Sequence, residues 1–94
     1  MTGFTTRVEL HAAKAEDYDR LHEAMEAQGF KRSITSDDGV AYDLPTAEYY
    51  YEGNVTRNNV LEKTKVAAGK TGKKYGILVT EGNGWAWTGL PKSK

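Results

Sequence analysis

Arg7, Glu9 and His11 stand two residues apart near the N-terminus, and their types suit the cleavage of RNA. Residues at that spacing on a strand project from one face, and Thr5 begins the same row. An imidazole in such a row serves as general acid or base towards a ribose hydroxyl. A guanidinium beside it stabilises the charge that builds on a phosphorane. The same row also makes an ordinary ladder of cross-strand ion pairs ending in a surface histidine, and that pattern is common. The second histidine, His22, lies between Leu21 and Glu23 in a helical stretch. A packing role suits it better than a catalytic one. His11 and His22 lack the spacing of a metal site, so neither a metal nor a cofactor is expected.

Charge is distributed unevenly. Residues 1–50 hold five Lys/Arg against ten Asp/Glu, and residues 51–94 hold eight against three. The formal net charge is zero, so the halves either neutralise one another or leave a basic face towards phosphates. The candidate RNA-binding cations are Lys31, Arg32, Arg57, Lys63 and Lys74. Lys31 and Arg32 open a strand with Ser33 and Thr35, where they suit phosphate contact or the guarding of a sheet edge. Arg57, Lys63 and Lys74 belong with Lys65, Lys70 and Lys73 to a cluster in and after the second helical stretch. A solvated helix face needs the same residues.

Aromatic side chains offer a further test of RNA recognition, since bases stack on exposed rings. In Tyr49-Tyr50-Tyr51, alternation turns Tyr49 and Tyr51 inward if Ala47 is inward. Only Tyr50 is then exposed, between Glu48 and Glu52. Trp85 and Trp87 share one side of a short strand and suit a core cap or a dimer contact. The stretch Gly69-Lys70-Thr71-Gly72-Lys73 lacks the spacing of a phosphate loop and follows a helix instead of preceding one.

The elements that carry these residues are legible from their periods. Phe4 to His11 alternates, with Phe4, Thr6, Val8 and Leu10 on one side. Ala15 to Gln28 is helical, with Tyr18, Leu21 and Met25 inward and Glu16, Asp17, Asp19, Glu23 and Glu26 outward. Gly29 stops it. Lys31 to Ser36 and Val40 to Leu44 flank an Asp-Gly turn and predict a hairpin. Pro45 interrupts the path, and Thr46 to Glu52 is rich in strand formers. Thr56 is the expected cap of a helix running to about Lys70, with Val60, Leu61, Thr64 and Ala67 or Ala68 inward. Lys74 to Thr80 is a strand, Gly82-Asn83-Gly84 a turn, and Trp85-Ala86-Trp87 a short return. The expected architecture is an α+β, ferredoxin-like βαββαβ sandwich. Its single four-stranded antiparallel sheet carries two helices on one face and an added C-terminal hairpin. The alternating strands imply that the other sheet face is open. Residues 1–90 form one domain, and 91–94 a frayed tail.

A chain of 94 residues can bury roughly 60–70% of its unfolded surface. It has no cysteine, which removes disulfides, thiolate metal sites and a cysteine nucleophile. Met1-Thr2-Gly3-Phe4 lacks the features of a signal peptide, and no apolar run has the length of a membrane span. A cytoplasmic protein without membrane association is expected.

Five segments carry a family likeness: Arg7-Val-Glu-Leu-His11, Asp17-Tyr-Asp-Arg-Leu-His22, Ile34-Thr-Ser-Asp-Asp-Gly-Val40, Leu44-Pro-Thr-Ala-Glu-Tyr49 and Ile77-Leu-Val-Thr-Glu81. Together they span most of residues 4–88. They resemble the GhoS-like family, bacterial and prophage proteins grouped with the endoribonuclease antitoxin of type V toxin–antitoxin systems, and above all its short homologues. The resemblance implies a ferredoxin-like domain and selective cleavage of a toxin messenger RNA. It supplies no catalytic residues for this chain. The competing expectation is a non-catalytic protein that docks a protein partner or a second copy on the open sheet face, such as a phage- or prophage-borne inhibitor or regulator.

Overall fold

The computed structural model describes residues 2–82 and 84–93. Asn83, at the centre of the expected Gly82-Asn83-Gly84 turn, lies outside the described residues, as do Met1 and Lys94. The elements are β1 (Thr2–Leu10), α1 (Ala15–Ala27), β2 (Ser33–Thr35), β3 (Ala41–Asp43), β4 (Glu48–Gly53), α2 (Arg57–Gly69) and β5 (Tyr75–Glu81). The fold is α+β with antiparallel pairing throughout.

β1 is the central strand of a three-stranded sheet in the order β4-β1-β5, and β2 and β3 form a separate ribbon. The single four-stranded sheet expected from the sequence is therefore corrected to three strands plus two. One bridge joins the parts: the Lys31 N–H donates to the Tyr50 carbonyl at 2.8 Å, and the Tyr50 N–H donates back at 2.7 Å. An antiparallel ladder would next pair Ser33 with Glu48. The Glu48 N–H is already committed to the Pro45 carbonyl at 3.1 Å. Ala47 beside it has φ 69°, a left-handed conformation that turns the chain into β4. The local turn thus removes the donor that the wider sheet needs.

The expected C-terminal hairpin is also corrected. Residues 84–90 form no strand. The chain instead crosses to the ribbon, where the Asp43 N–H donates to the Pro91 carbonyl and the Ser93 N–H to the Ala41 carbonyl, both at 2.9 Å. Residues 91–93, expected to fray, lie along β3, and the Trp87 ring packs on Tyr42 with centroids 5.4 Å apart.

Both helices start on side-chain caps. The Asp17 carboxylate accepts the Lys14 N–H at 2.9 Å, and Thr56 Oγ1 accepts the Asn59 N–H at 3.1 Å. Each cap satisfies a donor that the first helical turn leaves free. Asp17 departs from its expected outward position. It is buried, with Arg20 Nη1 at 3.5 Å and Lys73 Nζ at 3.8 Å. Gly29 ends α1 at φ 93°, where a Cβ would be strained.

The core lies between the sheet and the helices. Phe4, Thr6, Val8 and Leu10 of β1 face Leu21, Ala24 and Met25 of α1 and Val60, Thr64, Ala67 and Ala68 of α2. Tyr49 completes it from β4, with Tyr51, Tyr75, Ile77 and Val79 packed around its edge. A fully buried side chain of the size of Phe or Leu contributes roughly 1.5–3 kcal/mol. Thr6 is the exception: its Oγ1 is buried and has no hydrogen-bond partner among the described residues. Replacing an unsatisfied hydroxyl by a methyl of the same shape removes a desolvation cost. Thr6→Val is expected to raise unfolding stability by about 1 kcal/mol, measured by urea denaturation. Thr6→Ser, which keeps the hydroxyl and loses a methyl, is expected to lower it.

Candidate functional site

The alternation that buries the even residues of β1 turns its odd residues to the opposite side. Arg7 and Glu9 are exposed there. Register sets their neighbours: Thr5 lies between Tyr50 and Thr80, Arg7 between Glu48 and Leu78, and Glu9 beside Gly76. The ladder runs one residue past β1, where the His11 N–H donates to the Lys74 carbonyl at 2.8 Å. His11 is therefore held beside Lys74, and its Nε2 lies 3.8 Å from Glu9 Oε1. Gly76 has no side chain, and a shallow depression opens there between Arg7, Glu9, Ile77 and Leu78. Arg7 makes no ion pair among the described residues, so its guanidinium is available to an anion.

A second feature adjoins this row. The Trp85 indole N–H donates to Thr5 Oγ1 at 3.1 Å, and its ring meets Tyr50 edge-on with centroids 5.1 Å apart. The Tyr50 hydroxyl donates to Glu52 Oε2 at 3.0 Å. Burial and then the Glu52 carboxylate raise the Tyr50 phenol above its ordinary range. Lys31 pairs with Tyr50 and lines a groove with Ser33, Thr35, Asp37, Glu52 and Trp85.

The open face thus gathers Arg7, Glu9, His11 and Lys74 at one end, with Lys31 towards the ribbon. It does not gather the other sequence candidates. Arg57 opens α2 and pairs with Glu81 at 3.5 Å. Lys63 lies over the Tyr51 ring, 5.7 Å from its centroid. Arg32 acts on the His22–Tyr49 pair of the core side. Leu78, Gly76 and the Trp85–Thr5 contact were not among the sequence candidates, because register and a side-chain contact across eighty residues leave no local pattern. Among the described residues, no three His, Asp or Glu side chains converge as metal ligands. No described helix is long and apolar enough to cross a membrane.

His22 takes the packing role expected of it. Its Nδ1 lies 2.6 Å from the hydroxyl of fully buried Tyr49. Burial pushes the Tyr49 phenol well above its ordinary range. Burial, and then Arg32, hold His22 below its ordinary value of 6.5. The Tyr49 hydroxyl therefore keeps its proton and donates a hydrogen bond to Nδ1 of neutral His22. Above pH 6.5 the imidazole is neutral in the folded and unfolded chains alike, and this contact is fully present. Below it the unfolded chain takes up the proton first, so stability falls as pH drops towards the lowered folded value. Thermal unfolding between pH 7.5 and 5 is expected to show a shallower decline in His22→Gln than in the parent.

In comparisons with known proteins, no protein-family model matches the chain and no curated protein matches it, so the likeness to the GhoS-like antitoxins stands on the five quoted segments alone.

Proposed function

We propose that the open sheet face binds single-stranded RNA and cleaves it, and that the protein is a cytoplasmic antitoxin-like endoribonuclease of the GhoS-like kind. The observation that carries this reading is the approach of His11 to Glu9 at 3.8 Å, with Arg7 on the same face beside the depression at Gly76. In the proposed step, His11 takes the proton of a ribose 2′-hydroxyl. The 2′-oxygen then bonds to the adjacent phosphorus, and the bond from phosphorus to the 5′-oxygen breaks. Arg7 stabilises the charge on the pentacoordinate phosphorus. Glu9 orients the imidazole, and Lys74, beside His11 in the ladder, lies near the departing 5′-oxygen, which takes a proton from water. The products are a 2′,3′-cyclic phosphate and a free 5′-hydroxyl.

The ferredoxin-like description belongs to the same proposal. Counting the Lys31–Tyr50 bridge as a third pairing gives the order β5-β1-β4-β2, with the ribbon as a detached edge. Fold by itself carries no activity, so the reaction rests on the side chains.

A second reading makes the face a docking surface without catalysis. Leu78 is 64% exposed beside Arg7, and Glu48 and Glu52 stand on the same face. A face that carries an exposed apolar side chain on one outer strand and two carboxylates on the other suits a protein better than a phosphate backbone.

Labelled single-stranded RNA incubated with the parent, His11→Ala and Arg7→Ala separates the two. The cleavage reading expects cyclic-phosphate ends from the parent and a loss of about 100-fold or more in His11→Ala. Absent cleavage, or cleavage that both variants retain, rules out this mechanism. RNA that is neither cut nor bound favours docking.

A further inference from the structure

β5 is an outer strand with an unguarded edge. Its hydrogen bonds to β1 are made by even residues, as the flanking pairs His11–Lys74 and Gly3–Gly82 fix by alternation. The N–H and C=O groups of Tyr75, Ile77, Val79 and Glu81 therefore point away from β1. No strand pairs with them among the described residues. Outer strands of monomers are commonly protected by lysine, proline, a bulge or extreme shortness. Tyr75–Glu81 has seven residues, no lysine and no proline, and its one charge is at the end. Core-facing Tyr75, Ile77 and Val79 are only half-buried, whereas Val8 of β1 is 1% exposed. The apolar layer of the molecule runs out at this edge.

We propose that β5 pairs antiparallel with β5 of a second copy, on a two-fold axis through Leu78, to give a continuous six-stranded sheet. A second copy is the occupant that the strand's own pattern favours, because a two-fold axis at its centre sets the apolar stretch Ile77–Val79 against itself. Side chains of one sheet face must stay together, so even residues pair with even and odd with odd. With Leu78 opposite its own copy, Ile77 lies opposite Val79 of the second copy, and Tyr75 opposite Glu81. The four outward-facing residues form the hydrogen-bonded pairs. Leu78 occupies a non-hydrogen-bonded pair, in which side chains come closest. Its 64% exposure is removed by its counterpart. α2 packs over β5 and β1, and the two α2 helices come alongside at about the usual packing distance of 8–10 Å. The depression beside Arg7 is lined by Leu78 and gains a wall from the copy. The pairing does not depend on RNA cleavage and stands or falls separately from it.

Sedimentation equilibrium of the parent from about 1 to several hundred micromolar is expected to show a monomer–dimer equilibrium. Val79→Pro deletes an N–H that points outward, which an edge strand tolerates. It is expected to keep the circular dichroism of the parent and to sediment as a monomer. Because the chain has no cysteine, Leu78→Cys tests the register directly. Opposed residues of a non-hydrogen-bonded pair have Cα atoms about 4.5 Å apart, within disulfide reach. Oxidised Leu78→Cys is expected to run as a covalent dimer and Thr80→Cys as a monomer. A parent that stays monomeric across the range, a Val79→Pro protein that still dimerises, or equal cross-linking of the two cysteine variants would overturn the proposal.

Discussion

The central position of β1 is the constraint on which the rest of the structure depends. It is paired on both sides, and helices cover one of its faces. Phe4, Thr6, Val8 and Leu10 are driven into the core, and strand geometry leaves Arg7 and Glu9 on the other side. A slip of one residue would put Arg7 and Glu9 into the core and Val8 and Leu10 into water. The candidate chemistry of the open face is thus held in place by the hydrophobic burial behind it.

Two polar contacts tie that core to the site. The hydroxyl of Tyr49 on β4 meets His22 on α1, which anchors the strand that carries Glu48, Tyr50 and Glu52. Buried Asp17 caps α1 and reaches Lys73, just before β5. That ion pair fixes the start of the strand where Lys74 meets His11. Both contacts satisfy polar groups inside the apolar layer, where an unpaired one would be costly. Neither touches the open face.

The parts of the fold that local chemistry encodes were legible in the sequence. Alternation from Phe4 to His11 marked β1 and its faces, Thr56 marked the start of α2, and Gly29 the end of α1. The inward placement of Tyr49 and Tyr51 followed from Ala47. Tertiary competition decided the rest. Pro45 was visible as an interruption, but its carbonyl's capture of the Glu48 N–H was not, and that bond detaches the ribbon from the sheet. Asp17 was assigned to the surface because it is charged and stands outside the apolar stripe of Tyr18, Leu21 and Met25. Its burial depends on Lys73, distant in sequence. Trp85 and Trp87 have the look of a strand, yet their rings are held by Thr5, Tyr50 and Tyr42. At the site, the row Arg7, Glu9, His11 was legible because a strand has a period of two. The faces of the basic cluster around α2 were not legible, because charge composition carries no information about which face a residue occupies. Of its candidates only Lys74 joins the row.

In the proposed function the open face, not the basic helix layer, meets the RNA. Amide and side-chain NMR shifts of labelled His11→Ala protein, titrated with uncleaved single-stranded RNA, test it most directly. Perturbations are expected to cluster on Thr5, Arg7, Glu9, Lys74 and Leu78, with little change at Arg57, Lys63 and Lys65. Perturbations confined to α2, or none at saturating RNA, would contradict it.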